Sequence, residues 1–136
     1  MACWLLKTEP SCYRYADLER EGRTVWDGVT NALALKHLRT IVRGDGALVY
    51  HTGDERAAVG IARVVSDPYP DPQADDPRRV VVDLEPVRRL PVPVTLAELK
   101  ADPALREFAL LRNPRLSVVP VPPAFRTRLL ALGGLA

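Results

Sequence analysis

Two apolar stretches in the middle of the chain, residues 47–51 and 57–65, are separated by Thr52-Gly53-Asp54-Glu55-Arg56. A glycine-containing gap of five residues between two such runs predicts a β-hairpin. That hairpin limits what the rest of the chain can build. A strand is expected over 3–7, ended near Pro10, and another from Val80, where Val80, Val82 and Leu84 alternate with Val81, Asp83 and Glu85. A last strand is expected over 117–121. Helices are expected over 13–20, with Ser11 as a candidate N-cap, and over 31–42, where Leu35, Leu38 and Ile41 or Val42 share one face. Short helices over 94–100 and 104–111 and a closing helix over 123–132 complete the pattern; the closing helix has proline near its start and Gly133-Gly134 at its end. These elements do not repeat as βαβ units, which argues against a doubly wound parallel sheet. The expected fold is mixed α/β (α+β), a curled, mostly antiparallel sheet or small barrel flanked by helices. The mouth of such a barrel is a common ligand site.

A chain of 136 residues, 47% hydrophobic, suits one packed domain over 1–136. No apolar run approaches the ~18 residues of a membrane span. Lys7 and Glu9 interrupt the apolar run that a signal peptide would need, so the expectation is a soluble cytoplasmic protein that does not engage a membrane. Nineteen basic residues against 17 acidic ones leave a net charge of +2, too small to announce a nucleic-acid binder. Sixteen of the basic residues are arginine, and Ala, Pro and Val are abundant alongside them. Compositional bias therefore accounts for most of these arginines. Cys3 and Cys12 lie nine apart without a second pair, and His37 and His51 supply no ligand spacing. No metal or cofactor is expected. Residues 66–79 hold four prolines and four aspartates and read as an irregular loop.

The stretch Thr24-Val25-Trp26-Asp27-Gly28-Val29-Thr30-Asn31 carries the most chemistry. Asp27-Gly28 is a turn dipeptide, so the backbone bends directly after the indole. Two readings fit Trp26: a core aromatic beside a surface turn, or a pocket wall for a flat ligand.

Trp4-Leu5-Leu6-Lys7-Thr8-Glu9-Pro10, Trp26-Asp27-Gly28-Val29-Thr30-Asn31, Val49-Tyr50-His51-Thr52, Val59-Gly60-Ile61-Ala62-Arg63-Val64, Tyr69-Pro70-Asp71 and Arg115-Leu116-Ser117-Val118-Val119-Pro120-Val121 follow one another in this order. Each motif alone is weak; the six together resemble the EVE domain, a PUA-like family similar to the YTH domain. The resemblance spans residues 4–121. It implies a mixed α/β barrel that binds nucleic acid and holds a modified base in an aromatic-lined pocket.

The candidate pocket residues follow. Lys7, Thr8 and Glu9 end the first strand; they read equally as a surface ion pair or as groups that hydrogen-bond a base edge. The family usually has Ser at the position of Thr8. Tyr50, His51 and Thr52 end the second strand, with Tyr50 and His51 on opposite faces. Trp26, Asp27, Gly28 and Ser117 join the pocket through the motifs they occupy. Asn31 is either a helix N-cap or a reader of a base edge. Arg79, Arg112 and Arg115 are candidates for backbone phosphate. The chain departs from the family in two places. Thr30 and Ala32-Leu33-Ala34-Leu35 replace a cation, a ring and polar groups near the main helix. Arg79 stands where the family commonly has a Trp, leaving either a guanidinium that stacks on a base or a solvated side chain.

The resemblance implies a non-enzymatic module that recognises a modified, for example methylated, base in DNA or RNA, and the residues make this feasible; a monomer or weak dimer is expected. A small hydrolase acting on a nucleotide or modified base is the alternative, resting on His51, Lys7, Glu9 and Asp27. It lacks a nucleophile motif, a metal set and a phosphate loop. A third reading is an adaptor that binds partners through the proline-rich loop.

Overall fold

A computed structural model describes residues 1–135. The strands are β1 (Cys3–Thr8), β2 (Thr24–Trp26), β3 (Gly46–His51), β4 (Ala57–Val64), β5 (Tyr69–Pro70), β6 (Val80–Thr95) and β7 (Val118–Pro120). The helices are α1 (Tyr15–Glu21), α2 (Ala32–Thr40), α3 (Leu96–Ala101), α4 (Ala109–Arg112) and α5 (Pro123–Leu132). Six strands form one curled sheet in the order β2-β6-β4-β3-β1-β7, and β5 adds to β6. The architecture is the mixed, mostly antiparallel one expected.

The hairpin forms where the sequence places it, with His51 opposite Ala57 and a bulge between Val49 and Tyr50. β1 lies between β3 and β7, and its residues from Cys3 to Leu6 are buried. It runs parallel to β3, with Leu5 opposite Leu48, and antiparallel to β7, with Leu5 opposite Val119. A parallel pair needs a long crossover; here the crossover is α1, β2 and α2, and it carries the Trp26 turn. α2 starts at Asn31, whose side-chain oxygen accepts from the Ala34 N–H at 3.0 Å. Its buried face is Ala34, Leu35 and Leu38.

Two polar anchors tie the sheet to its crossover. Asp45 is buried, and its carboxylate accepts from Trp4 Nε1 at 3.0 Å, from the Val42 N–H at 3.1 Å and from the Ala2 N–H at 3.1 Å. Tyr15 is buried against Gly60 and donates its hydroxyl to the Ile61 carbonyl at 2.6 Å.

The sheet differs from the expectation in its longest strand. β6 extends past Glu85 to Thr95 through Pro86, Pro91 and Pro93. From Glu85 onward its strand partner is β4 alone, so its other edge makes no demand on the missing N–H groups. Between Ala58 and Gly60 the register shifts, so that Gly60 faces Arg89 and Ala58 faces Val94. Pro91 and Pro93 lie in the bulge this creates. α3 begins after Thr95, whose side chain and Glu98 form a reciprocal capping box, rather than at Val94. The helix expected over 104–111 is broken into a 3₁₀ turn at Pro103–Leu105 and α4. The extended backbone of Phe108 separates them, and its ring packs against Phe125 at 5.3 Å.

Candidate functional site

The ends of β1 and β2 bracket a hollow of about 440 Å³, within the usual range for ligand pockets. β1 contributes Lys7 and Thr8, and the turn after it contributes Cys12 and Tyr13. β2 contributes Thr24, Val25 and Trp26, and the following turn Asp27, Gly28 and Val29. Ser117, just before β7, closes the far side.

Local structure explains this convergence. Trp26 pairs with Val82 as the last residue of β2. Gly28 then takes φ +79°, a left-handed conformation that glycine adopts without strain. The chain turns back, and Val29 is buried beneath it. Trp26 is only 6% exposed, so the indole is both part of the core and a wall of the hollow. Tyr13 meets it edge to face, with centroids 6.1 Å apart and planes at 84°. The two rings form a right-angled aromatic corner. The Tyr13 hydroxyl donates to the Glu21 carboxylate, and burial with that contact pushes its pKa up to about 12. Tyr13 is therefore a neutral ring held in place. Thr8 Oγ1 donates to the Tyr13 carbonyl at 2.9 Å, which fixes the turn from below. Asp27 is exposed at the mouth. The site thus offers a ring corner, hydroxyls at Thr24 and Ser117, a carboxylate acceptor and a cation.

Lys7 is the partition between this hollow and a second one of about 270 Å³. Its Nζ donates to the Pro114 carbonyl at 2.7 Å and lies 5.9 Å from the Tyr50 ring centre. Burial pushes its pKa below the usual lysine range. Tyr50 and Thr52 line the second hollow and not the first.

The remaining candidates lie elsewhere. His51 is 5% exposed; its Nε2 accepts from the Tyr15 N–H at 3.0 Å, and its Nδ1 bonds Glu55 Oε2 at 2.8 Å. Because Nε2 accepts, the proton sits on Nδ1 and is donated to Glu55. Both ring nitrogens are occupied in joining α1 to the hairpin, which leaves none to act as a base on a ligand. Glu9 accepts from the Ser11 N–H at 3.2 Å and from Thr52 Oγ1 at 3.3 Å, and it lines a separate surface hollow with Arg14 and Asp54. Asn31 is occupied as the α2 cap. Arg79 does not line either hollow beside Lys7. Arg112 and Arg115 are exposed and flank Pro114, the carbonyl partner of Lys7. Among the described residues no group of three His, Cys, Asp or Glu side chains is placed to hold a metal, and both cysteines are free thiols.

Tyr13 is the main lining residue that the sequence reading misses. The periodicity places it in a helix, but α1 starts two residues later and leaves Tyr13 in the turn facing Trp26. Cys12, Thr24, Val25 and Val29 are missed with it. The signal that could have found Tyr13 is the nearness of an aromatic to the Lys7-Thr8-Glu9-Pro10 strand end.

Comparison with known proteins places this geometry. An NMR structure of a protein from Rhodopseudomonas palustris is 38% identical, covers 99% of this chain and 94% of its own, and superposes with a TM-score of 0.94. A crystal structure of human THYN1 protein in complex with DNA containing 5-methylcytosine is 28% identical, covers 98% of each chain and has a TM-score of 0.90. Human thymocyte nuclear protein 1 is 28% identical over 152 residues, covering 87% of this chain and 68% of the relative. The family model described as the EVE domain matches residues 2–132, and the chain belongs to the EVE domain family.

Proposed function

We propose that this chain, acting as a single EVE domain over residues 1–136, binds nucleic acid and takes one modified base into the hollow between Trp26 and Tyr13. The base is flipped from DNA or unpaired in RNA. The observation that carries this reading is the aromatic corner, a flat indole wall with an orthogonal ring 6.1 Å away, in a hollow of about 440 Å³. The human relative crystallised with 5-methylcytosine DNA supports the ligand class. Stacking on Trp26 supplies affinity. Thr24, Ser117 and Asp27 present hydroxyls and a carboxylate to the base edge, and a carboxylate suits an exocyclic amino group. A methyl group buried against Val25, Val29 and the rings adds about 0.8 kcal/mol, roughly fourfold in affinity. Larger discrimination comes from the hydrogen-bonded edge.

This reading favours binding over catalysis. The hydrolase reading rests on His51, Lys7, Glu9 and Asp27; of these, His51 is occupied on both ring nitrogens within the protein and Glu9 lines a separate surface hollow, while Lys7 and Asp27 line the Trp26 hollow.

The test is a binding series with modified and unmodified oligonucleotides, run beside thermal melting. Base–aromatic stacking is worth about 1–3 kcal/mol, so Trp26→Ala should weaken binding of the preferred modified strand roughly 5- to 150-fold. Trp26→Phe, which keeps a ring and fills more of the core, should retain an intermediate affinity. A folded Trp26→Ala variant that binds like the parent would rule out this pocket.

A further inference from the structure

The second hollow beside Lys7 has a chemistry of its own. Lys7, Arg56 and Lys100 converge on it, and among the described residues none of the three makes an ion pair. Arg56 Nε donates to the Gly53 carbonyl at 3.1 Å, which holds the guanidinium at the hairpin end. The Tyr50 ring is buried, but its hydroxyl has no protein partner among the described residues and is not sealed from solvent. The wall formed with α3 and α4 is apolar, built from Leu96, Leu110 and Leu111. Three cations and an apolar wall around one hollow, with Lys100 on the same helix as Leu96, suit a flat body that carries an anionic group. Lys7 lines both hollows, so a ligand that spans them passes its linkage over this ammonium.

We propose that this second hollow receives the nucleotide next to the flipped one in the same strand, with its phosphate on Lys7, Arg56 and Lys100 and its base against the leucine wall. This rests on the base-binding reading above. It extends recognition from one base to a dinucleotide step. It also gives the complex a polarity, because the second hollow lies on one side of Lys7. Burial in this wall keeps Lys7 poorly solvated, and an arriving phosphate supplies the countercharge it lacks.

The test uses the full chain and the double variant Arg56→Ala/Lys100→Ala, neither of which lines the Trp26 hollow. Three probes are compared: the modified nucleoside, the modified nucleotide with one neighbour on the 5′ side, and the same with one neighbour on the 3′ side. The parent should bind one of the two dinucleotides more tightly than the nucleoside. The double variant should lose about tenfold on that dinucleotide, as expected for charge-assisted hydrogen bonds, and nothing on the nucleoside. On a longer single strand its log affinity against log salt should be shallower by about 0.7 for each phosphate that the protein no longer neutralises. An unchanged salt slope and dinucleotide affinity would overturn the proposal, as would an equal loss on nucleoside and dinucleotide. An unmodified free mononucleotide that binds the parent but not the double variant, without any advantage for a dinucleotide, would replace the strand with a free nucleotide as occupant. If Trp26→Ala weakens binding while the double variant does not, this inference alone falls. If neither matters, the base-binding reading falls with it.

Discussion

Asp45 shows how a single buried carboxylate ties the sheet to its crossover. Its carboxylate receives the Trp4 indole N–H, the Val42 N–H and the Ala2 N–H, and it is 2% exposed. It therefore holds the start of β1 to the loop that ends the crossover. Removing it strands donors in a dry setting, which costs more than the hydrogen bonds it makes. Asp45→Ala should destabilise the fold by about 3 kcal/mol, with Asp45→Asn milder because one acceptor oxygen remains. Denaturant titration of the two variants checks the order; equal midpoints for parent and Asp45→Ala would remove Asp45 as an anchor. His51 is likewise tied into the fold by its hydrogen bonds. By residue type it reads as a candidate base, and the strand alternation separates it from Tyr50. What the sequence does not display is the Tyr15 N–H arriving from 36 positions away to occupy Nε2. Residue identity proposes chemistry, whereas the hydrogen-bond partners decide whether that chemistry is free.

At the scale of elements, the legible parts are those whose signal is local. The hairpin, α2 with its Asn31 cap and α5 with its flanking proline and glycines follow from spacing and breakers within a few residues. β2 is three residues long and β5 two, so neither has enough alternation to be seen. The sequence pattern supports β6 only as far as Glu85 because prolines read as stops; they are accommodated since one edge of the strand lacks a strand partner and the register bulges. The motif Val59-Gly60-Ile61-Ala62 also acquires a physical cause. A Cβ on Gly60 would lie 2.5 Å from Cε2 and Cζ of Tyr15, whose hydroxyl is tied to Ile61. Gly60→Ala should cost about 1–3 kcal/mol through overpacking. In a Tyr15→Leu background the same change should cost less, because the ring it strikes is gone. A double-mutant cycle on melting data measures this coupling, and strict additivity would show that the ring is not the obstacle.

For the molecule as a whole, the Trp26 hollow is assembled from four separated stretches: the β1 end, the turn at Tyr13, β2 with its turn, and Ser117. Motifs mark three of these in the sequence. Tyr13 stays hidden because its role depends on where α1 begins, and at Arg14 no Ser, Thr, Asp or Asn marks that start in the sequence. Lys7 belongs to two hollows at once, which only the packing of α3 and α4 against the sheet reveals. The net charge of +2 also looks different on the folded chain. Arg112 and Arg115 flank Pro114, which receives Lys7, so cationic positions gather in sequence around one end of the sheet. For a strand with its base in the Trp26 hollow, Arg112 and Arg115 are the proposed backbone contacts. Phosphate contacts fix register and carry no base information. Arg112→Ala/Arg115→Ala should therefore weaken modified and unmodified single strands by the same factor and lower the salt slope by about 0.7 for each phosphate left without its arginine. Modified-over-unmodified preference should be unchanged, in contrast to Trp26→Ala, which should erode it. Titrations at two or more stated salt concentrations separate the outcomes. A double variant that loses preference while keeping its salt slope would place these arginines at the base and not on the backbone.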